Sequence, residues 1–202
     1  MIQAIVYTSN TGYTAEYARM LGEKTGLPVL TLNEAKKSLP VRAPILYLGW
    51  LMAGSIKGCG AAIRRFSPRA VCGVGLTLTP SKKLREQNHI PQTVTVFSLQ
   101  GGFDMERLHG LDKLLMKILR ASLQSSMAKK ETPDDAQKAM LRVLNEGGSF
   151  VSEAHLSGML DWIQKEQKHK VDRRKASRHG KAAQKHAEHM QKHRAQARAR
   201  DA

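Results

Sequence analysis

Five apolar runs of strand length alternate with helical segments, and this alternation is what most limits the folds open to the chain. The runs are Ile2–Tyr7, Pro28–Leu32, Pro44–Gly49, Ala70–Thr79 and Thr93–Leu99. Pro44–Gly49 is apolar throughout, as expected of a strand covered on both faces. Between the runs lie Ala15, Ala18 and Met20-Leu21 at helical spacing, a short helical segment Ala61–Phe66, and a polar helix from Ser81 to about Asn88. Strands alternating with helices predict a parallel sheet with right-handed crossovers. After the fifth run the pattern is helical: Leu108, Leu111, Leu114-Leu115, Ile118-Leu119 and Leu123 form a wide apolar face. A second helix is expected over Asp134–Asn145 with Gly147 as its stop, and a third over Glu153–Trp162 capped by Ser152. No internal repeat is found.

Charge divides the chain. Residues 1–163 hold 20 basic and 13 acidic residues, whereas residues 164–202 hold 13 and 4, and the overall net charge is +16. The last stretch also carries five of the eight histidines and no aromatic residue or proline, so it has nothing with which to build a core. The expected organisation is a globular domain over 1–163 and a basic tail over 164–202, helical or disordered. No run approaches the roughly 18 apolar residues that span a bilayer. No basic region precedes the first apolar run, which argues against a signal peptide. Cys59 and Cys72 are too few for a disulfide scaffold and lack metal-ligand spacing, so a reducing cytoplasm is the expected compartment.

In an open parallel sheet, ligands bind beyond the carboxyl ends of the strands. After the first run comes Ser9-Asn10-Thr11-Gly12-Tyr13-Thr14, with hydroxyls at three positions and a glycine that lets the backbone approach closely. Such a loop at a helix start cradles an anion. It has neither the lysine of a nucleoside-triphosphate loop nor the further glycines of a dinucleotide loop, so a terminal monophosphate fits better. The plainer reading is that Ser9, Thr11 and Thr14 only cap a helix.

The stretch Val6–Glu16 resembles the phosphate loop of the flavodoxin family, whose usual form is Ser/Thr-x-Thr-Gly-Asn-Thr; Tyr13 replaces the amide. The resemblance implies a flavodoxin-like three-layer α/β/α fold over residues 1–163, with a five-stranded parallel sheet in the order 2-1-3-4-5, and FMN as cofactor. It assigns FMN to Thr8, Ser9, Asn10, Thr11, Gly12, Tyr13 and Thr14. Trp50, Leu51, Met52, Ala53 and Gly54 would hold one side of the flavin ring, and Ser98, Leu99, Gln100, Gly101, Gly102 and Phe103 the other. Trp50 and Phe103 are flat enough to stack on a ring, although a core role for Trp50 and a helix-start role for Phe103 remain open. In this family a glycine peptide at the position of Gly54 turns over to meet the flavin. The turn Gly101–Asp104 ahead of Leu114-Leu115-Met116-Lys117 also resembles the branch that includes menaquinone-dependent protoporphyrinogen dehydrogenase.

Other constellations carry less. Ser9 and Ser98 have no His and Asp arranged as a nucleophilic set. Cys59 reads as a buried thiol, and His89 and His109 as surface residues. His186, His189 and His193 recur at i, i+3 and i+7 but lack a carboxylate or shielding shell, so no metal site is expected. No catalytic side chain is expected beyond the cofactor site, because FMN carries the redox chemistry. Lys57, Arg64 and Arg65 follow the first ring loop and are expected to place positive charge near the ring. The functional expectation is an FMN-dependent oxidoreductase or electron-transfer protein. Its partners would be a redox protein, a quinone or a small organic substrate. The alternative is a flavin-free binding or scaffold protein acting through its tail. The tail lacks aromatic interleaving and an apolar stripe, so its partner would be an anionic membrane surface, as for an enzyme peripheral to the inner face, or nucleic acid.

Overall fold

A computed structural model describes residues 1–103, 117–118, 121, 125 and 147–168. The helices expected over 108–123 and 134–145 fall largely or wholly outside these residues, as does most of the basic tail. The chain divides into two units, Ile2–Leu160 and Asp161–Ala202 with Met1. In the second, residues 161–168 are described and helical. Among the described residues, no helix is long and apolar enough to cross a membrane.

In the first unit, the parallel strands are β1 (Ala4–Thr8), β2 (Val29–Thr31), β3 (Pro44–Met52), β5 (Ser67–Gly75) and β6 (Thr95–Gln100). They lie side by side in the order β2-β1-β3-β5-β6. Numbered as parallel strands alone, this is the 2-1-3-4-5 order of a flavodoxin-like topology. A short β4 (Ser55–Ile56) folds back antiparallel on the end of β3. Each expected strand is present, shifted by a few residues at its ends.

Alternation within the strands sends side chains to two covered faces. Ala4, Val6, Ile45, Tyr47, Val71 and Val96 form one buried cluster with Ala35 of α2 (Leu32–Ser38), Cys59 and Ala62 of α3 (Cys59–Arg65) and Leu84 of α4 (Ser81–Gln87). The alternate residues Ile5, Leu46, Leu48, Ala70 and Cys72 are also buried, on the side of α1 (Tyr13–Thr25). That helix buries Thr14, Tyr17, Ala18 and Leu21, the i, i+3, i+4, i+7 stripe of a helix lying on a sheet. Helices on both faces make the three-layer arrangement that the resemblance implies.

Three features depart from the sequence expectation. Helix α2 begins directly at the end of β2, where a strand through Leu32 was expected. Thr31 and Glu34 form a reciprocal capping box that starts the helix there. Strand β3 runs on to Met52, so the expected loop over 49–58 is a β-hairpin turned at Ala53-Gly54. Third, β7 (Gly102–Phe103) pairs antiparallel with β8 (Gly148–Ser149), bringing a distant segment back to the end of β6. Ser152 caps the following helical segment through the Ala154 N–H, as expected. The segment opens with a 3₁₀ turn over Glu153–Leu156, and an α-helix covers 157–168.

Candidate site at the carboxyl edge of the sheet

The strand order reverses between β1 and β3, which are direct parallel neighbours. Ligands of such sheets sit outside the carboxyl ends of the strands at this reversal. The loop after β1 therefore occupies the predicted place. Gly12 N–H donates to Ser9 Oγ (3.2 Å), which closes the loop, and Gly12 caps α1, its carbonyl accepting from Glu16 N–H (2.9 Å). The first-turn amides of a helix have no partner within it, so this end of α1 is suited to an anion. A cavity of about 520 Å³ opens beside the loop, lined by Thr8, Ser9, Asn10, Gly12, Thr31, Asn33 and Gly58 among others. Ligand sites fall in the range of about 300–1,000 Å³.

Thr14 stands just inside α1. It is 2% exposed, and among the described residues its hydroxyl has no hydrogen-bond partner. Buried hydroxyls are nearly always partnered, and leaving one unpaired costs about 1–3 kcal/mol. A ligand oxygen that accepted from Thr14 would relieve that cost. This hydroxyl stands in the first turn of α1, directly after the hydroxyl-rich loop whose Ser9 and Gly12 line the cavity.

Tyr47, buried in β3, ties the loop to its surroundings. Its hydroxyl donates to the carbonyl of Lys57 (2.7 Å) and lies 2.8 Å from Thr8 Oγ1. Burial pushes its pKa well above the ordinary phenol range, and the hydrogen bond from Thr8 opposes that only in part. Gly58 comes next, at φ 80°. A β-carbon there would fall on the Tyr47 hydroxyl and come within 2.7 Å of Thr8 Oγ1, so this position needs glycine for both its conformation and its clearance.

The ring-loop residues are placed unequally. Trp50 is half-buried and lies, by strand alternation, on the α1 face. The Lys57 ammonium sits 5.6 Å from the Trp50 ring centroid, within cation–π reach. Leu51 points to the other face, where it packs over Gly73 and Gly75 and joins the core. Met52 is half-buried and Ala53 exposed; Ala53 (φ 48°) and Gly54 (φ 80°) form the hairpin turn. Asn88, at the end of α4, holds that turn. Its Oδ1 accepts from Ile56 N–H (2.6 Å), and its Nδ2 donates to the carbonyls of Gly54 and Leu84 (both 2.9 Å). In this structure the Gly54 carbonyl therefore bonds to Asn88.

Of the residues expected in the loop after the fifth strand, Ser98, Leu99 and Gln100 lie within β6, and Leu99 is buried in the core. Ser98 Oγ accepts from Thr79 N–H (2.9 Å), and Gln100 Nε2 donates to the Leu76 carbonyl (2.9 Å). These side chains shape the loop after β5, residues 76–80, where the sequence pattern runs the fourth strand on to Thr79; the strand ends at Gly75. That loop stands between the hairpin and the β6 end and exposes Leu78 (66%). Its only sequence signal was the strand order, since β5 is the direct neighbour of β3. Gly101 N–H donates to the Gly75 carbonyl (2.7 Å), and a β-carbon on Gly102 would meet the Tyr13 ring at 2.5 Å. Phe103 lies in β7. The structure thus brings the loop after β1 and the end of β6 together through Tyr13.

The expected basic environment needs correction. Helix α3 runs away from the carboxyl edge. Arg65 donates to the carbonyls of Lys36 and Leu39 (3.3 and 3.4 Å), beside the start of β3. Lys57 is at the carboxyl edge of the sheet, but Arg64 and Arg65 stand about one helix length, roughly 10 Å, toward the opposite end. Both cysteines are buried, and burial pushes the Cys59 thiol up to about 11. Among the described residues, no group of His, Cys, Asp or Glu is arranged to hold a metal ion. The chain matches no family model, no curated protein and no solved structure.

Proposed function

We propose that this chain is an FMN-binding oxidoreductase or electron-transfer protein of flavodoxin-like build. The observation that carries the reading is the buried Thr14 hydroxyl at the start of α1, without a partner among the described residues, beside a hydroxyl-rich loop at the strand-order reversal. Thr14, Ser9 and the first-turn amides of α1 would hold the phosphate. Trp50 with the β3–β4 hairpin, and the ends of β5 and β6, would flank the ring. FMN would supply the redox chemistry, and the protein would set its access and surroundings. The electron partner would be a redox protein, a quinone or a small organic molecule, and a quinone would suit a resemblance to the protoporphyrinogen dehydrogenase branch.

The test is titration of the flavin-free chain with FMN and with riboflavin, followed by flavin fluorescence. The expected result is saturable uptake of FMN at micromolar concentration and much weaker binding of riboflavin, which lacks the phosphate. Failure to take up FMN, or equal affinity for riboflavin, would overturn the reading in favour of a flavin-free binding protein.

The basic tail would bring the protein to a polyanion, and a membrane surface is favoured because it would also hold a quinone. Each basic residue near an anionic surface contributes about 1 kcal/mol. Cosedimentation with anionic vesicles and with RNA over a salt series, comparing the full chain with residues 1–168, decides this. Loss of vesicle binding on truncation supports it, and preferential binding to RNA sinks it.

A further inference from the structure

The Tyr47 hydroxyl has one proton, and a backbone carbonyl can only accept. Because Tyr47 donates to Lys57 at 2.7 Å, the 2.8 Å bond to Thr8 must use the Thr8 proton. Thr8 lines the cavity, but its proton points to Tyr47 and away from any ligand. What remains on Thr8 Oγ1 is acceptor capacity. A phosphate dianion has only acceptors to offer, so it gains nothing from this oxygen and is repelled by its lone pairs. A ligand hydroxyl, which carries a proton, is well matched to it.

We infer that Thr8 reads a hydroxyl of the ligand next to its phosphate, and that Tyr47 is the positioning residue that makes Thr8 an acceptor. The ligand class is a phosphate ester of a polyol or sugar, as opposed to a simple alkyl phosphate or inorganic phosphate. The inference rests on reading the loop after β1 as a phosphate site and deepens it. It divides the loop into a donor side, Thr14 with the helix amides, and an acceptor side, Thr8. Gly58 is part of the device, because any side chain there would break the Thr8–Tyr47 contact.

The experiment is NMR titration of the full chain with ribitol 5-phosphate, with n-pentyl phosphate and separately with FMN. It is run on wild type, Thr8→Val, Thr8→Ser and Tyr47→Phe, with melting temperatures to verify folding. Wild type should prefer the polyol phosphate by about fivefold, as one hydrogen bond of about 1 kcal/mol gives. Thr8→Val should lose that preference with unchanged pentyl phosphate binding, and Thr8→Ser should keep it. Tyr47→Phe releases the Thr8 proton and should narrow the preference by improving pentyl phosphate binding. Equal weakening of both phosphates by Thr8→Val, or no wild-type preference, overturns the inference. FMN binding without a polyol preference removes the inference alone. A polyol preference without FMN binding removes the flavin reading and leaves the inference standing.

Discussion

The Tyr17 hydroxyl on α1 donates to the carbonyl of Gln100 at the end of β6, 2.7 Å away. One buried phenol thereby fixes the helix that carries the candidate phosphate loop to the strand that carries the far wall of the site. With that proton engaged, His155 Nδ1, 3.1 Å away, serves as donor to the same oxygen. Burial raises the Tyr17 pKa, as expected of a phenol held neutral in the core.

Tyr17→Phe should keep the ring packing and remove this bond. The expected loss is about 1–2 kcal/mol in a urea titration, a lowering of the melting temperature by a few degrees. Flavin binding should weaken through the end of β6, whereas His155→Ala should affect stability by less. An unchanged Tyr17→Phe midpoint would mean that the hydroxyl contributes nothing net.

Thr14→Val tests the orphaned hydroxyl. The variant removes a buried polar group that has no partner among the described residues, so stability should stay level or rise slightly. FMN affinity should fall about 10- to 100-fold, because a hydrogen bond to a charged group contributes about 1.5–3 kcal/mol. A variant that is destabilised yet binds FMN normally would show that Thr14 serves the fold alone.

Asn88 makes three hydrogen bonds around the hairpin turn. Asn88→Ala should cost about 2 kcal/mol of stability, read as a shifted denaturation midpoint. Asn88→Asp keeps the acceptor for Ile56 N–H but sets a carboxylate against the carbonyls of Gly54 and Leu84, so it should be at least as damaging at neutral pH. If aspartate proves neutral, the hairpin turn is not held by the Nδ2 bonds.

Stability should decline in alkali. Burial raises the Cys59 thiol to about 11 from an ordinary 9.0. The folded form thus holds its proton where the unfolded thiol has ionised. The contribution is complete below pH 9 and is lost as pH climbs from 9 to 11, by about 2–3 kcal/mol. Cys72 and Tyr47 shift in the same direction. Urea midpoints at pH 7.5 and 10.5 measure the slope, which Cys59→Ala should reduce.

The parallel sheet was legible because each buried strand needs an apolar run, and the runs are separated by capping and turn residues. Helix α2 was missed although Thr31 and Glu34 spell a capping box; an apolar Val29–Leu32 run outweighed it. The hairpin beyond β3 was read as loop because Ala53 at positive φ gives no sequence signal. For the candidate site, the loop after β1 stood out by its hydroxyls. The roles of Tyr47, Asn88 and residues 76–80 did not, because each depends on contacts between residues far apart in sequence. The placement of Arg64 and Arg65 was misjudged for a related reason: closeness in sequence ignores that a helix carries its far end away from the loop it follows.

The pairing of β7 with β8 has a consequence for the order in which the molecule assembles. Gly102 meets Ser149, and the Phe150 N–H donates to the Gly101 carbonyl (2.9 Å), after an excursion of almost fifty residues. Among the described residues, a two-residue ladder and a few flanking bonds hold the returning segment in place. A chain emerging from the ribosome can complete β1 through β6 before this clasp exists. The rim beside Tyr13 is therefore expected to form after the parallel sheet and to open before it. Amides of Ser149 and Phe150 should exchange with deuterium sooner than those of β1 and β3, and a ligand gripping Tyr13 and Gly102 would slow them most.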